Sequence, residues 1–259
     1  MDASSCKEAV SSAKAAALAA GKIIMAAIKS QENSRLQVKS GVDLVTETDK
    51  AAEMAIIDLL KASHPGHQFI GEESTFDARG ATGDAFEASP TWVIDPLDGT
   101  TNFVHGYPLF CVSIALVVER VPVVGVVYHP VSGDMYTACQ GQGAFLNGSK
   151  IEVRAAQGLG DALVVNNIGA GRDESFIATT LARLGELLRR KVQAVRMSGS
   201  AALNMCHVAA ENLDVTRRAG GVVRGLRDEE FVLEPGKGKV VCGNERVVAE
   251  VCDALAAAD

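Results

Sequence analysis

Thr91-Trp92-Val93-Ile94 is an apolar run that passes directly into Asp95-Pro96-Leu97-Asp98-Gly99-Thr100-Thr101-Asn102. The first four residues predict a strand. Pro96 restricts φ and Gly99 permits a sharp reversal, so Asp95 and Asp98 can converge on one point at the strand end. Two carboxylates brought together repel unless they are protonated or bridged by cations. Hard divalent metals take oxygen ligands, and Mg2+ typically shares one or two carboxylates with a substrate phosphate. Thr100 and Thr101 follow at once, and their hydroxyls and N–H groups can open a helix and face an anion. The competing reading is an Asx-type turn in which both aspartates only hydrogen-bond the backbone. Gly71-Glu72-Glu73-Ser74, at the end of another predicted strand, offers more carboxylates and tips the balance toward a metal site.

Outward from this segment, β-rich runs dominate. Residues 67–70, 91–94, 110–118, 123–128 and 135–138 read as strands, with turns supplied by Pro122 and Ser132-Gly133-Asp134. Helical spacing marks residues 6–30, and a capping-box-like Thr46-Glu-Thr-Asp49 opens a second helix through Leu60, stopped by His64-Pro65-Gly66. Residues 75–90 are polar and aperiodic and read as a loop. Further strands fit residues 162–165, 192–197, 221–223 and 239–242, and helices fit 173–190, 200–210 and 245–255. Strands follow strands in the middle while helices sit at both ends, which favours a layered α+β fold over a doubly wound parallel sheet.

The 259 residues are ample for a buried core and suit one large domain or two small ones at roughly 150 residues each. The formal net charge of −7 gives no general attraction to nucleic acid or anionic membranes, so any bound anion needs local positive charge. The apolar run Val112–Val118 is broken by Ser113, and a membrane span is not expected. The N-terminus makes a poor signal or transit peptide. None of the six cysteines forms a Cys-x-x-Cys pair, and all six are expected as reduced thiols in a cytoplasmic setting.

Gly71-Glu72-Glu73-Ser74 and the run from Trp92 to Pro108 resemble the two signature motifs of the inositol monophosphatase family, Mg2+-dependent, lithium-inhibited phosphomonoesterases. Lys39-Ser-Gly-Val-Asp43-Leu-Val-Thr-Glu-Thr-Asp49, Gly125-Val-Val-Tyr-His-Pro130, residues 141–148 and the segment from Arg196 to Cys206 extend the resemblance over nearly the whole chain. The resemblance implies an α+β, layered α-β-α-β-α sandwich forming a single domain. Its metal-binding half would cover about 1–150 and its substrate-side half about 151–259. It implies that Glu72, Asp95, Asp98 and the Leu97 carbonyl hold Mg2+, with Asp49 close by. It further implies that Glu72 and Thr100 orient and deprotonate the attacking water and that the Gly99 and Thr100 amides hold phosphate. Asp98, Gly199, Ser200 and Ala201 would contact the alcohol. A small phosphorylated polyol substrate and a homodimer are implied as well.

One family feature is missing. The family's third motif is a Trp-Asp pair on a C-terminal helix, preceded by a Glu-bearing segment. Here Leu213-Asp214 runs almost directly into Ala219-Gly220-Gly221-Val222-Val223, and the only tryptophan is Trp92. The gap amounts to one strand-loop-helix unit of about 20 residues. Its loss removes a ligand from the second metal, and Asp214 and Asp228 read as surface acids rather than replacements. Two outcomes follow: hydrolysis of myo-inositol 1-phosphate, or a homologue that binds Mg2+ and phosphate or dimerises without turnover. Histidinol phosphate and L-galactose 1-phosphate are the alternative substrates.

Among the remaining residues, His64 and His67 read as a surface loop and His207 as core or interface. His105 reads as either a packing or a site residue. Lys39 is a candidate mobile cation near the phosphate, and Arg217-Arg218 receives no role.

Overall fold

The computed structural model describes residues 2–30, 36–40, 43–73, 89–155, 157–168, 171–213, 222–225, 240–243 and 245–256. They fall into two compact units, residues 1–150 and 151–259.

The first unit starts with helix α1 (Ala3–Ser30) and a hairpin of β1 (Leu36–Ser40) and β2 (Asp43–Thr46). Helix α2 (Glu47–Ser63) leads to β3 (Gln68–Gly71), β4 (Thr91–Asp98) and a short helix, α3 (Thr100–Val104). Then come β5 (Cys111–Val118), β6 (Val121–His129), β7 (Asp134–Cys139), β8 (Gly143–Leu146) and β9 (Ser149–Ile151), the last closing the sheet at the boundary. Strands β3 to β9 lie in sequence order in one seven-stranded sheet. The β3–β4 pair is parallel, and the pairs from β4 to β8 are antiparallel.

Helix α1 buries Cys6, Ala9, Ala13, Ala16, Ala17, Ala20 and Ile24, a stripe at helical spacing. The alanines allow close approach to α2 and to β5 and β6. With Ile56, Leu60, Trp92, Ile94, Phe110 and Leu116 they form one continuous core. By length and composition Ser4–Lys29 is also apolar enough to cross a membrane, contrary to the expectation from uninterrupted runs. The interruptions at Lys14 and Lys22 fall on the exposed side of the helix, whose opposite side is packed.

Three further expectations are corrected. Pro122 makes no turn: it sits inside β6 opposite Val117, beside an irregularity in the ladder that accommodates its missing N–H. The reversal is made by Glu119 and Arg120, both at positive φ (49° and 64°), as a tight two-residue hairpin requires. Cys6 and Cys139 are not free thiols. Their Cα atoms lie 6.5 Å apart and they form a disulfide across 133 residues, because α1 crosses near the end of β7. Cys111, Cys206 and Cys252 are buried and lie outside any disulfide. His64 and His67 do flank a turn, but they are half-buried, with rings stacked 4.9 Å apart against Trp92.

The second unit holds β10 (Leu163–Val165) parallel to β11 (Ala194–Arg196), and β12 (Val222–Gly225) antiparallel to β13 (Val240–Gly243). Its helices are α4 (Glu174–Arg189), α5 (Ala201–Ala209) and α6 (Glu245–Ala256). Asp173 caps α4 through the Phe176 N–H at 2.9 Å. Val164, Leu187, Val247, Val248 and Val251 make a separate core. The expected loop over residues 75–88 lies outside the described residues, as do Asp214, Arg217, Arg218 and Asp228.

Candidate metal and phosphate site

Strand register assembles the acids of the first unit. Gly71 pairs with Ile94 in the parallel β3–β4 ladder, so the next residues along, Glu72 and Asp95, emerge side by side. Across β4 and β5, Asp95 lies opposite Ser113 and Asp98 opposite Cys111. Three steps on β4 therefore match two on β5, and the extra residue bulges the strand at Pro96-Leu97. The bulge turns both aspartates to the strand end. Asp49 arrives from the first turn of α2, buried at 1% exposure.

The Asx-turn reading holds in part. Asp95 Oδ1 accepts from the Leu97 N–H at 3.1 Å. Yet burial, then Asp98, then Glu72, with a further contribution from Asp49, push the Asp95 carboxyl well above the usual carboxylate range, against the lowering effect of that hydrogen bond. A turn would not need four acids in one another's field. The Thr100 hydroxyl donates to the Leu97 carbonyl at 3.1 Å, which leaves its oxygen lone pairs to accept from a water.

Gly99 sits at φ +99°, and a Cβ there would meet the Leu109 carbonyl at 2.9 Å. Asn102 Nδ2 donates to that same carbonyl at 2.6 Å, so the loop after α3 is held against the site. No side chain caps α3. His105 is exposed at the C-terminal end of α3.

The donor set suits a hard divalent ion: three carboxylates and a backbone carbonyl, with no sulfur or imidazole. Among the described residues, no three His, Cys, Asp or Glu side chains stand close enough together to hold a metal ion as they are placed. The acids share a field, and mutual repulsion among carboxylates works against closer approach.

In the second unit Gly199 lies at φ +90° and its N–H donates to Asn167 Oδ1 at 3.3 Å. Ser200 is fully buried, and its Oγ caps α5 through the Leu203 N–H at 3.2 Å. Its hydroxyl thus serves the helix, and Ala201 opens that helix on an exposed side. His207 is half-buried in α5. Lys39 lies in β1.

The sequence reading missed Glu53. It is 4% exposed and accepts from the Glu73 N–H at 2.9 Å. The available signal was an acid four residues after Asp49, on the face of α2 that otherwise buries Ala52, Ile56 and Leu60.

Known proteins resemble the chain over most of its length. The inositol monophosphatase family model matches residues 6–257. Inositol monophosphatase 2 of Solanum lycopersicum is 48% identical over 211 residues, covering 81% of this chain and 77% of the relative. Inositol monophosphatase 1 of Homo sapiens is 37% identical over 250 residues, covering 89% and 87%. Among solved structures, the extragenic suppressor protein suhB from Bartonella henselae matches with a TM-score of 0.82 at 29% identity, covering 95% of this chain and 97% of that one. The inositol monophosphatase from Anabaena matches at 0.79 and 28%, covering 98% and 97%.

The protein is therefore a phosphoric monoester hydrolase with an α+β sandwich fold. The chain belongs to the inositol monophosphatase family, whose members use a divalent metal.

Proposed function

We propose that this chain hydrolyses myo-inositol 1-phosphate to myo-inositol and phosphate with Mg2+ as its metal. The observation that carries the reading is the convergence of Glu72, Asp95, Asp98 and Asp49 at the end of β4, where Asp95 titrates in the field of the other three. Glu72, Asp95, Asp98 and the Leu97 carbonyl would hold the metal. When bound, Mg2+ supplies charge neutralisation for the phosphate dianion and acidifies a coordinated water. The chain's own groups do the rest. The Thr100 oxygen, its proton committed to Leu97, accepts from the attacking water and orients it. Glu72 takes the water's proton. The uncapped start of α3 offers the Gly99 and Thr100 amides to phosphate, and the rigid Gly99 turn prevents their collapse onto the loop. Asp98 would contact the polyol. The family resemblance further supports a homodimer sensitive to lithium.

A second reading has its own support. The Trp-Asp motif is missing from the sequence, and with it a ligand to the second metal. On that reading the protein binds one metal and phosphate without turnover.

Phosphate release from myo-inositol 1-phosphate across a Mg2+ titration separates the two, with Asp95→Asn as the blank. Mg2+-dependent release that the substitution removes supports the phosphatase. Release equal to the blank from folded protein at every Mg2+ level supports the non-catalytic homologue.

A further inference from the structure

We infer that Glu53 is a positioning residue that clasps the Glu72 turn from both sides, and that Gly71 is glycine to admit it. The inference rests on the reading of Glu72 as a metal ligand and water base.

A buried carboxylate is costly unless hydrogen-bonded, so its partners are informative. Glu53 reaches from α2 to the turn that follows β3 and accepts from the Glu73 N–H, one residue past Glu72. Its carboxylate also lies against the Cα of Gly71, one residue before Glu72. A Cβ at Gly71 would fall on the Glu53 carboxyl atoms themselves. Gly71 is not at positive φ. Its lack of a side chain is therefore a matter of space for Glu53 rather than of backbone conformation.

Glu72 itself is exposed, while Gly71 and Glu73 on either side are buried. Glu53 touches the backbone on both sides of Glu72. The same helix also delivers Asp49 to the acid cluster, so α2 both supplies one acid and braces another.

The test is a double-mutant cycle on the full chain, with Glu53→Ala, Gly71→Ala, their combination, and Glu53→Gln as the conservative variant. Mn2+ binding, followed by the free-ion electron paramagnetic resonance signal, is the primary readout. Phosphate release from myo-inositol 1-phosphate and thermal unfolding accompany it. Each single substitution should weaken Mn2+ binding about 10–100-fold, the range for groups that orient metal ligands. In the Glu53→Ala background the added Gly71→Ala should cost nothing further, because the space it needs is already open. Glu53→Gln, which keeps an acceptor for the Glu73 N–H, should recover most of the binding.

Unchanged Mn2+ affinity in folded Gly71→Ala, with only a lowered melting temperature, overturns the inference and leaves the metal site standing. Fully additive losses in the cycle overturn it too. Wild-type protein that binds no Mn2+ sinks the metal reading and the inference with it. If Glu53→Ala does not fold, the Gly71→Ala and Glu53→Gln arms decide alone.

Discussion

Two helix starts, each entered through a glycine at positive φ, carry the candidate site residues and are built in opposite ways. Gly99 leads into α3 in the first unit, where no side chain caps the helix and the Thr100 hydroxyl turns back to Leu97. Gly199 leads into α5 in the second, where Ser200 is buried and caps the Leu203 N–H. The first start depends on distant partners: a bulge against β5, the Leu109 carbonyl and the acids of α2 and β3. The second rests chiefly on a local cap, Ser200 to the Leu203 N–H, with one distant bond from the Gly199 N–H to Asn167 Oδ1. A turn built by long-range register can gather charge at one point. A turn built by a local cap is cheaper to perturb and holds fewer chemical groups.

The largest expected effect falls on the first turn. Asp95→Asn should lower turnover on the order of 10²–10³-fold, the scale of losing one preorganised charge-stabilising group. Turnover within a few-fold of wild type would mean that register alone does not make Asp95 indispensable.

Gly99→Ala comes next. It meets both the unfavourable φ and the Leu109 carbonyl, so it should cost about 1–3 kcal/mol of stability along with most activity. Urea unfolding and phosphate release measure the two. A stable, active variant would show that the turn yields where the structure says that it is hemmed in.

Ser200→Ala should be milder, about 1 kcal/mol, the usual loss for an N-cap. Its KM should change little if the buried hydroxyl serves only the helix. A large rise in KM with no change in stability would reverse the contrast between the two turns.

The smallest effect is on pH dependence. The Asp95 carboxyl is raised in the folded protein relative to its ordinary value of 3.8. The native state therefore keeps a proton that the unfolded state gives up. Its contribution is fully present below the unfolded value and is lost as pH rises through the raised folded one. Protein kept in a chelator should therefore lose stability as pH rises above 3.8 more than Asp95→Asn does. Equal slopes in urea melts at stepped pH would remove Asp95 as the source.

Much of the architecture was legible because periodicity is local. The stripe of α1, the strands from β4 to β7 and the helices α4, α5 and α6 all follow side-chain spacing. The acids at the end of β4 were legible because Pro96 and Gly99 punctuate the chain there. The hairpin β1–β2 and the short strands β8 and β9 escaped, since three to five residues carry too little pattern. The Glu119-Arg120 turn escaped because neither residue advertises positive φ. The Cys6–Cys139 disulfide and the tilted contacts of His64 and His67 with Trp92 join residues that no spacing rule connects.

By itself the sequence determined which residue types stand at the strand ends, the family, and the loss of the Trp-Asp segment. Those depend only on identity and order along the chain. Tertiary structure alone decided that Gly71 pairs with Ile94, that Glu72 therefore shares a field with Asp95, and that a buried Glu53 lies against the glycine before it. Such facts depend on which strands pair and which helix face turns inward. Burial and hydrogen bonding between residues far apart in sequence set both.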